Sequence, residues 1–427
     1  MERISSNLQF KLNYNMNSQL KDKVIFILAL FFMGVRVNLV GSISITELFV
    51  ITQIPHLLKW SMRLKYPELR KISILFLLVF LGQCLSELFL RNSLINAAKG
   101  LAITFVAFFL MLFFLEKLLK KPSLIKWIPL VACIRLLILG DQFGFAEVDE
   151  MSYFKFYLAP IIVNVVCFIS LYRYDISKRY GFPLFLGTGL FIIIGGARSL
   201  GFSMLFSALL LYLIQHIHTI SLKRMLPSII IATLVFHLFY ANVYIPKLVS
   251  GEWGSDQNRE QLAKINNSRN PLMMLFVARV DFYVSWQAFM DKPIFGHGSW
   301  AKDKNFAYYK LQMQLLSDKR NLKELPDDQL VPNHSVVVGM GTRNGIIPFV
   351  LFLIIFIQVY YMGFKSFYPK SIVNPYLAFT IISSSQHLLF GPPAILKNSG
   401  SIAIAVILTL YYIKYYYNEQ NGKTEVL

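Results

Sequence analysis

The chain has 427 residues, of which 56% are hydrophobic and only 15% are charged, and its mean hydropathy is +0.53. Soluble domains contain about 25% charged residues, so this composition excludes an ordinary soluble protein and makes lipid the solvent for much of its surface. The formal net charge of +19 lies mostly in short loops between apolar segments, which the positive-inside rule explains without nucleic-acid binding.

Residues 1–23 are polar and predict a cytoplasmic N-terminal segment, and the apolar run after them lacks a small-residue cleavage site, so it is interpreted as a signal anchor. A helix needs about 20 residues to cross a bilayer core of about 30 Å. On this basis the sequence predicts about twelve spans, which are 24–41, 44–60, 73–90, 97–118, 124–140, 154–172, 182–197, 200–219, 226–243, 345–362, 375–390 and 400–417.

The predicted fold class is therefore an all-α polytopic integral membrane protein with one large, partly helical loop. Nine spans lie in residues 24–243 and three in residues 345–417, with the loop at 244–344 between them and a cytoplasmic tail at 418–427. Alternate connections are rich in Lys and Arg, and the positive-inside rule places these in the cytoplasm. The loop at 244–344 and the connection that holds Arg198 are then both expected on the outer side.

The large loop carries two predicted amphipathic helices, separated by a turn at 296–298. In the first, at 278–291, the aromatic residues recur at i, i+4 and i+7, which is the spacing of one helix face. The apolar residues of the two helices are Phe282, Trp286 and Phe289 in the first, and Phe306, Tyr309, Met313 and Leu316 in the second. Such helices lie along a membrane surface or cover the mouth of a cavity.

Three residues at the outer side are candidates for chemistry. Arg198 lies between two apolar runs, where arginine is costly, so it is either an interfacial residue that contacts lipid phosphate or an anion clamp. Arg279 begins the first amphipathic helix, and it either pairs with the nearby Asp281 or binds an anion. His334 precedes the return of the chain to the membrane, where it is either structural or a proton acceptor.

Other polar residues carry weaker signals. Glu87, Arg36 and Arg135 lie within predicted spans, where they either pair with one another or line a polar lumen. The cysteines at positions 84, 133 and 167 lie far apart in apolar runs, so they are interpreted as small buried hydrophobic residues rather than as disulfides or metal ligands.

Three motifs occur in order between residues 191 and 364. The first is Gly195-Gly-Ala-Arg198-Ser199 between apolar runs, and the second is Arg279 followed by Trp286 and the sequence Asp-Lys-Pro-Ile-Phe-Gly-His-Gly at 291–298. The third is Asn-His-Ser at 333–335, followed by Gly-Ile-Ile-Pro-Phe at 345–349. Together they resemble the O-antigen ligase and O-antigen polymerase superfamily of bacterial membrane proteins. Members of that family commonly have His-Asn before the closing span, whereas in this chain Ser335 follows His334.

The resemblance implies a metal-independent glycosyltransferase of the bacterial inner membrane, with its active site at the periplasmic face and no cofactor. Its donor would be a glycan on undecaprenyl diphosphate, and its role would lie in surface polysaccharide or lipopolysaccharide biosynthesis. By position, Arg198 and Arg279 would bind the lipid diphosphate and His334 would accept the proton of the acceptor hydroxyl. Trp300, Tyr309 and Asn333 are further candidate substrate contacts, although packing also explains the two aromatic residues.

Alternatives remain open at this stage. A polymerase would use the next lipid-linked repeat unit as acceptor and a ligase the lipid A core, and we slightly favour the polymerase. A polytopic transporter or flippase of lipid-linked or other anionic substrates is a second possibility, although the halves of the chain show no internal repeat of the kind common in transporters. A purely structural or partner-binding membrane protein is the third.

Overall fold

The computed structural model describes most of the chain between residues 20 and 417. The described ranges are 20–38, 42–64, 66–140, 153–173, 179–216, 234, 237–253, 256–263, 267–270, 273, 279–315, 329–367 and 371–417. These residues are overwhelmingly helical, and the one two-stranded sheet among them pairs Arg36–Asn38 with Ser42–Ser44 in antiparallel register. The prediction of an all-α membrane protein is confirmed at this level.

Seven of the described helices are long and apolar enough to cross a membrane, and Gly181–Ile194 is a shorter apolar helix. The seven are Pro67–Phe89, Leu94–Lys120, Pro122–Leu139, Phe154–Tyr172, Arg198–Gln215, Ile346–Lys365 and Ser399–Tyr416. A further helix, Asn374–Phe390, carries Ser, Gln and His residues in its last two turns. The predicted span 226–243 lies largely outside the described residues.

The helix Leu94–Lys120 forms the centre of the bundle. Every residue from Val106 to Glu116 is buried, so this helix is surrounded by protein on all sides, as expected for a segment that is apolar around its whole circumference. Ser399–Tyr412 packs along it, and Pro67–Phe89 also contacts it. Most of the buried apolar residues that the structure describes form one large cluster, and a second, smaller cluster includes Ile193, Tyr244 and Leu248.

Two of the predicted spans are interrupted. The helix that begins the described chain covers residues 20–32 and is followed by the strand Arg36–Asn38, so the predicted span 24–41 is shorter than expected. The predicted span 44–60 is divided into Ile45–Thr52 and Ile54–Met62. Pro55 explains the division, because proline has no N–H to continue the hydrogen bonding of the first helix.

Lysine side chains form polar contacts at both ends of the bundle. At one end the Lys117 ammonium lies 2.5 Å from Asp22 and the Lys414 ammonium donates to the Lys365 carbonyl at 2.7 Å. At the other end the Lys397 ammonium donates to the Ser42 carbonyl at 2.9 Å. All the candidate site residues lie toward the second end, away from the lysines that the positive-inside rule assigns to the cytoplasm.

In the large loop the two predicted helices are present, at Val280–Asp291 and Ala307–Leu315. In the first helix the predicted face is only partly correct, because Phe289 is buried whereas Trp286 is exposed. Tyr309 and Met313 are buried, as the pattern predicted, whereas Leu316 lies outside the described residues. The short helices Ile245–Val249 and Asp256–Ala263 precede them, and Val336–Asn344 leads to the closing span. The helix Val336–Asn344 is buried along its whole length, so the loop is anchored within the protein.

Candidate functional site

Arg198 begins the helix Arg198–His216, directly after the turn that ends Gly181–Ile194. Gly196 has a φ of +94°, a conformation that glycine adopts without strain. The two helices form the predicted hairpin and pack closely, since a Cβ on Gly189 would lie 3.0 Å from the Gly201 carbonyl oxygen. The Arg198 guanidinium lies against the phenols of Tyr240 and Tyr244, at the start of the large loop.

Arg279 is the N-cap residue of Val280–Asp291, as the sequence predicted to within a residue. Its guanidinium carbon lies 4.5 Å from the centre of the Phe390 ring, which is a cation–π contact. Burial lowers the pKa of this guanidinium. Its charge also acts on His387, in the last turn of Asn374–Phe390. The arginine is therefore partly desolvated, in a surrounding of aromatic and amide groups.

Gln386 connects Arg279 to the residue that follows Arg198. With its amide oxygen turned toward the arginine, Gln386 accepts from Arg279 Nη2 at 3.1 Å and from the Ser199 hydroxyl at 2.6 Å. Its amide nitrogen then donates to the Ser199 carbonyl at 3.3 Å and also bonds the Ser203 hydroxyl. One amide thus holds the start of the Arg198–His216 helix next to the start of the Val280–Asp291 helix.

His334 lies at the same end of the helix that Arg279 caps. Its Nδ1 is 3.7 Å from Asp281 Oδ2, and the His334 side chain is 57% exposed. Asp281 also bonds the Gln312 amide, so the second amphipathic helix fixes the orientation of this carboxylate. The structure therefore places His334 beside Asp281, which lies two residues after Arg279 in the chain, and Gln386 joins Arg279 to the Arg198 hairpin. That all three line one hollow stays a prediction.

The other predicted substrate contacts lie in different surroundings. Trp300 and Asn333 line a cavity of about 240 Å³. Tyr309 is 9% exposed, and its backbone N–H donates to Asp303 Oδ2 at 2.8 Å. The burial of Tyr309 favours packing over sugar binding for its ring, whereas the ring of Trp300 is 37% exposed and accessible to a ligand.

The predicted turn at 296–298 packs against the end of the buried helix Val336–Asn344. The His297 N–H donates to the Thr342 carbonyl and the Gly298 N–H to the Arg343 carbonyl, both at 2.8 Å. His297 Nε2 lies 2.8 Å from the Ala288 carbonyl oxygen, and burial lowers the pKa of this imidazole. Gly345 has a φ of +80°, and a Cβ there would overlap the Ile294 carbonyl oxygen.

A buried polar network below this turn was not predicted in this form. Glu87 Oε1 accepts from the Ser299 N–H at 3.0 Å and from Asn344 Nδ2 at 3.1 Å, and its Oε2 accepts from Asn92 Nδ2 at 2.7 Å. Gln83, one turn earlier on the same helix, donates to Asn344 Oδ1 at 3.1 Å. Two polar residues four apart in an apolar span indicate one polar face, which is the signal that could have revealed it.

Glu87 accordingly does not pair with Arg36 or Arg135, one of the two possibilities left open from the sequence. Arg135 Nη1 donates to the Leu30 carbonyl at 3.4 Å, and Arg36 lies close enough to act on its charge. The three cysteines are free, two of them buried and Cys84 partly so, which confirms their interpretation as apolar packing residues.

The sequence matches no model of a known protein family, and no curated protein is detectably similar to it.

Proposed function

We propose that this chain is a membrane glycosyltransferase that moves a glycan from a polyprenyl diphosphate, undecaprenyl diphosphate being the expected carrier, to a sugar hydroxyl. The reaction takes place at the periplasmic face of the bacterial inner membrane, in surface polysaccharide biosynthesis. The proposal is supported by two contacts at the first turn of one helix: Arg279, its cap, bonds Gln386, which joins it to the Arg198 hairpin, and Asp281 in its first turn lies 3.7 Å from His334.

The two arginines act on the leaving group. When the bond between the anomeric carbon and the diphosphate oxygen breaks, its electron pair remains on that oxygen and negative charge grows on the diphosphate. Guanidinium groups bind phosphate oxygens in a planar fork. Arg279 is partly desolvated against Phe390, and in such a medium its charge stabilises the leaving group more strongly than it would in water.

His334 acts on the nucleophile. Its Nδ1 faces Asp281, so we assign Nε2 as the atom that takes the proton from the acceptor hydroxyl as its oxygen attacks the anomeric carbon. Asp281 is a positioning residue, which fixes the tautomer and orientation of the imidazole as carboxylates do in other acid–base pairs. Attack opposite the departing diphosphate inverts the anomeric centre.

The acceptor distinguishes a polymerase from a ligase, and the proposal favours a polymerase, whose acceptor is the next lipid-linked repeat unit. In a deletion strain the two differ in phenotype. Loss of the polymer with single units still attached to their final carrier identifies a polymerase. Polymer that is made but never attached identifies a ligase.

The experiment is complementation of that strain with single variants. Arg198→Ala and Arg279→Ala should each reduce glycan transfer by about 10²–10³-fold, the range for loss of one electrostatic contact to developing charge. His334→Ala should reduce it by about 10²–10⁴-fold. Membrane insertion and abundance should be unchanged. Arg91→Ala, which removes an exposed arginine from the same end of the bundle, is the matched control.

The role proposed for each residue is tested by its own variant. Full transfer by His334→Ala would remove the general base, and full transfer by both arginine variants would remove the diphosphate clamp. Asp281→Asn should retain part of the activity, with a greater effect on turnover than on the Michaelis constant, because it disturbs the orientation of the base and not substrate binding.

A further inference from the structure

A second arginine site lies beside the proposed acceptor base. Arg343 is 6% exposed, near the end of the buried helix Val336–Asn344. Its Nε lies 3.2 Å from the Gly339 carbonyl oxygen, and the Asn333 amide oxygen, when turned toward it, lies 3.0 Å away. Its Nη2 has no hydrogen-bond partner among the residues that the structure describes. Burial lowers the pKa of this guanidinium to about 10, so it is charged at neutral pH.

This charge is not part of a structural ion pair within the described ranges. Glu87 is the carboxylate that acts on it, but both oxygens of Glu87 accept hydrogen bonds from Ser299, Asn344 and Asn92. A buried charge without a paired carboxylate costs several kcal/mol, and a buried N–H without an acceptor adds to that cost. Residues that bind a ligand often carry such a cost in the free protein, because the ligand supplies the missing partner.

The guanidinium lines a cavity that has the character of a small-ligand site. The cavity measures about 240 Å³, and its wall includes His297, Trp300, Asn333 and Arg343 together with Pro392 and Pro393. Pockets for drug-sized ligands measure about 300–1,000 Å³ and combine apolar walls with a few polar groups. This cavity is smaller, so it suits one sugar residue rather than a chain.

Trp300 is held in a strained conformation at the cavity wall. Its φ of 54° lies in the left-handed region, which costs a non-glycine residue of order 1–3 kcal/mol and is common at ligand sites. The antiparallel bridge between Lys302 and Leu330 fixes the segment that follows. The indole ring is therefore presented to the cavity by a backbone that other contacts determine.

We propose that this cavity binds the carboxylate of an acidic sugar, with the Arg343 guanidinium donating to the carboxylate and the Trp300 ring against the face of the sugar. Among the described residues of this wall Arg343 is the one arginine or lysine, and burial lowers the pKa of the His297 imidazole. One positive charge balances a carboxylate, whereas a phosphate group carries about −1.5 to −2 at neutral pH. Asn333 lies in the wall and precedes His334, so the acidic sugar belongs to the acceptor, and in this respect the inference rests on the proposed function.

The test is direct binding to the purified full-length protein in detergent, without any lipid-linked donor. Glucuronate is titrated alongside glucose, acetate and inorganic phosphate. The protein should bind glucuronate at least ten-fold more tightly than each of the other three, because only glucuronate offers both the carboxylate and the ring. Absence of saturable glucuronate binding, or phosphate binding of equal strength, would overturn the proposal.

Three variants assign the contacts. Arg343→Gln should lose glucuronate binding by at least ten-fold and should melt at or above the temperature of the unsubstituted protein, because it removes a buried charge that has no carboxylate in direct contact. Trp300→Ala should weaken glucuronate binding and leave acetate binding unchanged. Arg91→Gln, an exposed charge change at the same end of the bundle, should alter neither. A lower melting temperature for Arg343→Gln, or unchanged glucuronate binding, would show that the arginine serves the fold.

The binding test is separable from glycan transfer. His334→Ala should reduce transfer by about 10²–10⁴-fold and retain glucuronate binding, because His334 is not among the residues of the cavity wall. A protein that binds glucuronate through Arg343 but transfers no glycan would contradict the proposed function alone. A protein that transfers glycan but does not distinguish glucuronate from glucose would contradict the present inference alone.

Discussion

Removal of the Glu87 carboxylate should loosen the attachment of the large loop to the helical bundle. Glu87 is 5% exposed and accepts three hydrogen bonds, from the Ser299 N–H and from the amides of Asn344 and Asn92. A hydrogen bond to a charged group contributes about 1.5–3 kcal/mol. The three share one acceptor group and are not additive. Glu87→Ala should therefore lower the free energy of unfolding by about 3–5 kcal/mol, the range for a disrupted buried charge network.

Glu87→Gln should have a smaller effect, about 1–3 kcal/mol, because one new N–H group would face the Asn92 amide nitrogen. Asn92 cannot simply rotate its amide, since its Oδ1 accepts from the Ser93 N–H at 2.9 Å and its Nδ2 also donates to the Ser299 carbonyl. The matched control is Glu252→Ala, which removes a carboxylate that is 59% exposed and paired with Lys247. Exposed pairs of this kind contribute about 0–1 kcal/mol.

The assay is thermal unfolding in detergent, followed by a thiol-reactive dye. Cys133 and Cys167 are buried and free, so they react when the bundle opens. One kcal/mol shifts the midpoint by about 2–4 °C in domains of 150–250 residues and by less in longer chains, so Glu87→Ala should lower it by about 3–10 °C at a fixed scan rate. A midpoint for Glu87→Ala equal to that of Glu252→Ala would refute the role of this network.

Three further predictions concern the same region. Gly345→Ala should prevent accumulation of folded protein, because φ is +80° and a Cβ would overlap a backbone carbonyl. Gly187→Ala is the control and should fold normally, because the space around Gly187 is open. Size-exclusion chromatography measures both. Because the pKa of His297 is lowered in the folded protein, the imidazole takes up a proton more readily in the unfolded chain. The contribution of His297 to the free energy of unfolding should therefore be complete above about pH 6.5 and fall below it. His297→Gln should reduce that fall, measured as melting temperature against pH. Gln386→Ala should raise the Michaelis constant for the lipid donor, because Arg279 loses an anchoring amide, and Gln386→Glu, which offers a charge to pair with the arginine, should not restore it.

The sequence was most informative where helical periodicity and glycine coincide. The helix Val280–Asp291, its Arg279 cap and the turn at 296–298 were predicted because apolar residues recur at helix spacing and glycines mark the turn. These are local properties of the chain. Hydropathy likewise identified the long apolar helices, since their composition alone requires lipid or a buried position.

Hydropathy averaged over a long window does not detect short elements inside an apolar segment. Residues 35–38 alternate Val, Arg, Val and Asn, which is a strand period of two, and they form the strand Arg36–Asn38 inside a predicted span. The averaging that finds spans hides such alternation. Pro55 divides the next predicted span. Its effect is not apparent from hydropathy, because the residues around it are mostly apolar.

The polar contacts of the site depend on tertiary structure and could not be predicted in detail. Glu87 and Asn344 are 257 residues apart in the chain, and so are separate in any local reading of the sequence. Arg343 gave no signal because its importance lies in burial without a paired carboxylate, which is a property of its surroundings. Asp281 was noted only as a neighbour of Arg279, whereas the fold places it beside His334.

Arg198, Arg279 and His334 are proposed to carry out glycan transfer from a lipid diphosphate. The most direct measurement reconstitutes the purified protein in liposomes with a synthetic polyprenyl-diphosphate glycan and an acceptor glycan. We predict that extended glycan and free polyprenyl diphosphate appear in equal amounts, with an inverted anomeric linkage. Arg279→Ala and His334→Ala should form both products at least about 10²-fold more slowly. Movement of the intact donor between leaflets without release of the diphosphate would contradict the account and identify a transporter.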